Sequence, residues 1–280
     1  MAKVVTYKNS KGISMDLSSD FSVRIKKKTA GFYNFEYSLD VTKLASGVRV
    51  NRLTRDAAQF EIEVDFTGPP ELRAAKLEDF FELTNYDVEM LKPGRLTVGD
   101  QYIDCFIIKS EVERYDDRYR TLGKKCTVYA PYPYWIEDRK LIFKKIEMEQ
   151  SSGIDLPLDF SFDLGKAERG MDRIENRHYI PTSFLMTFFG PCVNPSVTIG
   201  GHLYKVNITL SSGEYLQIDS INKRVIRHTT TGEDVSEYNK REKSQSVFEP
   251  IQPGRQTLVW SGAFSLELIL HQERSELKWT

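Results

Sequence analysis

Cysteine is scarce in this chain. Cys105, Cys126 and Cys192 are the only three in 280 residues, with no C-x-x-C pair and no regular spacing. A sparse, odd set excludes a disulfide framework and leaves three buried free thiols as the expectation. Histidine is also thin. His178, His202, His228 and His271 stand far apart, with no second imidazole at i+2, i+3 or i+4, so metal-site spacing is absent. No apolar run approaches the ~20 residues that cross a bilayer. The opening Met1-Ala2-Lys3-Val4-Val5-Thr6 lacks the apolar stretch of a secretory signal. A chain made and assembled in the cytoplasm is expected. Neither charge is in excess: Lys and Arg number 39 against 40 Asp and Glu, a net charge of -1. A globally basic surface for nucleic acid is therefore excluded.

Catalytic signatures are missing as well. Gly123-Lys124-Lys125 lacks the upstream glycine and the Ser/Thr of a phosphate-binding loop, and neither G-x-S-x-G nor G-x-G-x-x-G occurs. Asp155, Asp159 and Asp163 share the polar face of one alternating segment, at spacings too long for a compact calcium loop. With 40 acidic residues some pair of carboxylates can always be proposed for glycoside cleavage, so that signal has almost no specificity. The expectation is a non-enzyme without catalytic residue, metal or cofactor.

What is present is a folding chain. Hydrophobic residues make up 40% and charged residues 28%, enough for a packed core in one large or two ordinary domains. Asn9-Ser10-Lys11 reads as the turn of an opening hairpin, and Phe21–Ile25 alternates before Lys26-Lys27-Lys28, read as a solvated strand end. Gln59–Phe66 has a clean period of two. Phe60, Ile62, Val64 and Phe66 point one way, and Glu61, Glu63 and Asp65 the other. After Thr67-Gly68-Pro69-Pro70 comes one helix, from Pro70 to about Leu83, with Leu72, Ala75, Leu77, Phe80, Phe81 and Thr84 on its packed side. Arg73, Lys76, Glu78, Asp79 and Glu82 are expected opposite. A hairpin turns at Gly99-Asp100, and Lys125–Tyr129 is one more strand.

The run Pro131-Tyr132-Pro133-Tyr134-Trp135 then punctuates the chain. Beyond it lie only strands and turns. Ile154–Leu164 alternates, with Pro157 marking an edge strand, and further strands lie at Ser183–Phe189, Ser196–Ile199, Leu203–Leu210, Tyr215–Ile218, Arg224–Arg227, Thr257–Trp260 and Phe264–His271. Gly190-Pro191, Asn194-Pro195, Gly200-Gly201 and Ser212-Gly213 supply turns. Short strands at this spacing imply a sandwich or barrel.

This order of elements resembles the distal tail protein (Dit) family of long-tailed phages. The hairpin region, alternating strand, single helix and second hairpin look like its belt-forming first domain. Tyr132-Pro133-Tyr134-Trp135 is similar to its proline-aromatic crossover. Gly190–Pro195, Val197–Gly201, Gly213–Asp219 and Ile251–Gly254 follow like parts of its galectin-like second domain. The resemblance implies a mainly β fold of two domains. Residues 1–135 would be a ring-forming β-sandwich with one helix near 70–83, and 136–280 a galectin-like β-sandwich. It implies a virion structural protein of a phage or prophage tail tip, assembled in the bacterial cytoplasm. There a homohexameric ring would join the tail tube to tail-associated hub, lysin or fibre proteins, with DNA passing through the lumen and no sequence-specific nucleic-acid contact. Phe60, Ile62, Val64, Phe66, Leu77, Phe80 and Phe81 are the candidate belt core, and Tyr132, Tyr134 and Trp135 the junction aromatics.

A second reading is a carbohydrate-binding adhesion module for host cell-surface glycans. Tyr132, Tyr134, Trp135 and Trp260 would be its stacking platform, although such aromatics are more often core. His202-Leu203-Tyr204-Lys205-Val206-Asn207 does not reproduce the His-Asn-Arg cluster of sugar-binding galectin-like domains. A β-sandwich glycoside hydrolase is a third reading, resting on carboxylate abundance alone.

Overall fold

A computed structural model describes residues 4–18, 22–26, 31–116, 120–146 and 170–278. The chain forms two compact units. One comprises the residues up to 137 together with those from 273 onward, and the other residues 138–272. The sequence expectation left the C-terminal residues in the second unit. They return to the first because Leu277 is buried in its core and its amide donates to the Phe32 carbonyl at 3.1 Å. The next amide, of Lys278, donates to Oε1 of Gln101 at 2.8 Å.

In the first unit, strands run at Val5–Lys8 (β1), Ser14–Asp16 (β2), Val23–Ile25 (β3), Ser38–Lys43 (β4), Val48–Thr54 (β5) and Ala58–Thr67 (β6). The helix Pro70–Glu89 (α1) follows, then Gly94–Val98 (β7), Gln101–Asp116 (β8), Thr121–Ala130 (β9) and the start of Trp135–Phe143 (β10). The long β8 serves two antiparallel sheets. Its first part pairs with β7, which pairs with β1 and so with β2. Its second part pairs with β9, which continues through β6 to β3. Alternation along β6 puts Ile62, Val64 and Phe66 at 0% exposure, facing α1. Glu63 and Asp65, on the other side, take Lys26 at 2.5 Å and Arg114 at 3.3 Å.

The helix runs six residues beyond the expected end at Leu83, to Glu89. It stops at Leu91, whose φ of 50° cannot continue a right-handed helix. The buried side chains of α1 are Arg73, Phe80, Leu83, Thr84 and Asp87. Leu72, Ala75 and Phe81 are exposed, contrary to the apolar stripe expected from the sequence. The helix is rotated because polar residues on its packed face find partners. Arg73 lies over the Tyr115 ring at 5.3 Å, and Asp87 accepts the Tyr7 hydroxyl at 2.6 Å. Phe81, about 100° round the helix from Phe80, then points outward.

The second unit contains the rest of β10, then Gly170–Asn176 (β11), Ser183–Phe189 (β12), Cys192–Val193 (β13), Ser196–Ile199 (β14) and His202–Lys205 (β15). Thr209–Leu210 (β16), Tyr215–Asp219 (β17), Arg224–His228 (β18), Asp234–Ser236 (β19), Gly254–Trp260 (β20) and Leu266–Arg274 (β21) complete it, the last strand ending in the first unit. One sheet has the order β19-β18-β17-β12-β21, and another β11-β20-β14-β15. Inward residues of both sheets form one core, from Phe184, Met186 and Phe188 on β12 to Val197, Ile199 and Trp260 on β14 and β20. Phe264, Leu266, Leu268 and Leu270 enter it as alternation predicts. The stretch read as Leu203–Leu210 is broken into β15 and β16, with Val206 bridging to Arg241 between them. The alternating segment Ile154–Leu164, with Asp155, Asp159 and Asp163, lies outside the described residues. The fold is mainly β with one α-helix among the described residues.

Candidate functional site

The feature that calls for a partner is the β4–β5 hairpin. Its strands pair with each other and with no other described strand. Every residue of β4 and all but the last of β5 are exposed. Two strands alone are marginal in water, so such a hairpin needs a surface to lie on.

Its faces show what kind of surface. Leu39 opposes Leu53, and Asp40 opposes Arg52. The register then slips, so that Val41 opposes Val50 and Lys43 opposes Val48. The extra residue is Asn51, whose Nδ2 donates to Oγ1 of Thr42 at 2.7 Å. A bulge restores the side-chain parity that a strict alternation would lose. Leu39, Val41, Val48, Val50 and Leu53, 42–64% exposed, consequently share one face with Lys43, which lies opposite Val48. Ser38, Asp40, Thr42, Arg49, Arg52 and Thr54 share the other. An exposed, largely apolar face of this kind marks an interaction surface.

The root of the hairpin is fixed. Ser38 Oγ donates to Asp56 at 2.8 Å, and Arg55 Nη2 donates to the Ser275 carbonyl at 2.8 Å. The Arg55 guanidinium lies 5.1 Å from the Tyr134 ring centre and 6.0 Å from that of Tyr37. Burial lowers its pKa, and the two rings oppose that shift. Beneath it, Phe32 meets Trp135 edge-on at 5.5 Å and Phe60 at 6.1 Å. Trp135 is 3% exposed. Trp135→Ala is expected to cost about 4 kcal/mol in urea unfolding, from lost burial and the cavity left behind.

The sequence-derived candidates fall into three groups. Ile62, Val64, Phe66 and Phe80 are buried in the core of the first unit, with Phe66 edge-on to Phe80 at 5.5 Å. Phe60 and Leu77 pack at its margin, and Phe81 is exposed. The junction aromatics do not form an open stacking platform. Trp135 is core, Tyr134 lies beneath Arg55, and Tyr132 is half-buried with its hydroxyl pKa pushed up by burial and by Glu273. Trp260 is also buried, its indole N–H donating to the Phe264 carbonyl at 3.2 Å. Among the described residues no group of His, Cys, Asp and Glu has the arrangement of a metal site, and no helix is long and apolar enough to cross a membrane.

Comparison with solved structures places the architecture. The SPP1 Dit protein, described as a paradigm of the hub adsorption apparatus in phages infecting Gram-positive hosts, superposes with a TM-score of 0.58 at 10% identity. The match covers 98% of this chain and 100% of that one. The chain has a Dit-like fold. A chain of the phage P2 baseplate in its activated conformation with calcium gives 0.64 at 13% identity, covering 99% of this chain and 100% of that one. The same baseplate with strontium gives 0.63 at 13% identity, with the same coverage. No protein-family model matches the chain, and no curated protein does. At this divergence the Dit-like likeness resides in the fold rather than in shared residues. Its structural neighbours are phage hub and baseplate proteins, not enzymes.

Proposed function

We propose that this chain is a structural protein of a phage or prophage tail tip, whose first unit closes into a homohexameric ring. In this reading the ring joins the tail tube to hub, lysin or fibre proteins, DNA passes through its lumen, and the second unit is a galectin-like sandwich. The protein resides in the virion and is assembled in the host cytoplasm. The observation that carries the reading is the unpaired hairpin β4–β5 with one apolar face exposed. A hairpin and the surface it covers are different patches of one molecule. Such a contact is heterologous, and rotation closes it into a ring.

The Dit-like architecture supports the setting, since the solved relatives in fold come from a hub apparatus and a baseplate. The packed aromatics favour assembly over the glycan-binding alternative, because Trp135 and Trp260 offer no open ring face. Gold-conjugated antibodies against this chain, applied to particles of the encoding phage, are expected to mark the distal end of the tail. Labelling confined to the capsid would overturn the proposal.

A further inference from the structure

A groove of about 430 Å³ lies between the β1–β2 turn and helix α1. Ile13, Met15, Leu83 and Tyr86 supply its apolar surface, and Asp16, Asp79 and Glu82 are its acidic lining residues. Two lysines also line it. Lys11 sits over the Tyr86 ring at 5.8 Å, and Lys76 reaches Asp79 at 3.8 Å. Beside the groove, the outermost line of α1 carries Glu71, Glu78, Glu82 and Glu89, all exposed and spaced seven, four and seven residues apart. That spacing returns to one side of the helix, so the groove opens next to a stripe of negative charge.

The hairpin of the same chain carries the opposite character. Lys43, Arg49 and Arg52 stand against the single anion Asp40. Its tip combines an exposed apolar residue, Leu44, with Lys43 before it and Val48 and Arg49 across the turn. The tip is closed by Leu44 N–H donating to the Gly47 carbonyl at 3.1 Å, and Gly47 holds a φ of 86°. The cationic tip with its apolar end is thus complementary to a recess whose lining combines apolar side chains with Asp16, Asp79 and Glu82.

We infer that the β4–β5 tip of one copy docks in the groove between α1 and the β1–β2 turn of the next. Leu44 and Val48 meet Ile13, Met15 and Leu83, and Lys43 and Arg49 meet Asp79 and Glu82. The inference rests on the ring reading above and names its acceptor. Charge complementarity across the contact sets register and suppresses other pairings. Asp79 and Glu82 do no structural work that their loss would expose: both are exposed, and the Lys76–Asp79 pair is a surface pair of little energetic weight.

The test exchanges the charges. One variant carries Lys43→Glu with Arg49→Glu, the other Asp79→Lys with Glu82→Lys. Particle mass is read by light scattering after size exclusion, and folding by circular dichroism. Each variant alone is expected to fold and to fall to the mass of one chain. An equimolar mixture is expected to recover the wild-type mass, because each tip then meets a groove of opposite charge and the copies alternate. A groove variant that keeps the wild-type mass would overturn this docking while leaving the ring in place. Loss in both variants without recovery in the mixture would also overturn it. A wild-type protein that stays a single chain at every concentration would sink the ring reading itself.

Discussion

Val41→Asp combined with Val50→Asp is expected to leave single chains where the unaltered protein assembles, with no loss of single-chain stability. These valines oppose each other in the middle of the hairpin's apolar face and are about half exposed. In an isolated chain, aspartate there meets water and costs little beyond a modest loss of strand propensity. At a closed interface the same change buries two carboxylates without partners. That penalty is several kcal/mol, enough to lower association by a factor of about a thousand or more. The measurement is particle mass beside the urea midpoint. Loss of mass with an unchanged midpoint assigns the hairpin to assembly. An unchanged mass would show that its apolar face is not an interface.

The second large effect lies inside the first unit. Asp87 is fully buried on α1, where Oδ2 accepts the Tyr7 hydroxyl at 2.6 Å and Oδ1 accepts the Ser10 amide at 2.7 Å. These bonds tie the helix to β1 and to the turn that borders the groove. Burial raises the Tyr7 pKa far above its usual range, and the hydrogen bond to Asp87 and its negative charge add to the shift, so the phenol stays protonated and donates. A Cβ on Gly94 would stand 2.2 Å from Asp87 Oδ2 and 2.4 Å from the Tyr7 hydroxyl, so no larger residue fits beside the pair. Asp87→Leu strands the buried Tyr7 hydroxyl and removes the acceptor of the Ser10 amide, and is expected to cost about 3 kcal/mol. Tyr7→Phe removes one donor and leaves the Ser10 bond in place, and should cost about 1.5 kcal/mol. Urea unfolding of the two variants checks the order. Equal, small losses would show that the carboxylate is not the tie between helix and strand.

Much of the framework is legible in the residues. Phe60 to Phe66 alternates cleanly because one side meets the helix and the other meets water and counter-charges. The strands of the second unit announce themselves through glycine and proline turns, since both sheets bury one face in a common core. The helix was harder. Its packed face includes Arg73, which reads as solvent-facing until Tyr115 is known to receive it, and Asp87, which lies beyond the expected helix end and meets Tyr7. Leu72 and Phe81 look like core by type and are outside by angle.

The hairpin was missed altogether, and for a physical reason. Ser38-Leu39-Asp40-Val41-Thr42-Lys43 alternates, and Ala45-Ser46-Gly47 is a turn, but the return strand breaks period two at Asn51. Only the cross-strand register shows that the bulge puts Leu53 back beside Val50. The signal that could have found it is the alternation of Leu39 with Val41 and of Val48 with Val50 on either side of a Ser-Gly turn. The assembly partner of that face is not written in local sequence at all. The groove proposed for its tip is built from the β1–β2 turn and α1, segments more than fifty residues apart in the chain.

The most direct test of the account is the mass and symmetry of the purified protein, by light scattering after size exclusion with negative-stain imaging. A homohexameric ring with a central opening is the predicted result. Single chains at every concentration, with the hairpin left in solvent, would contradict the account.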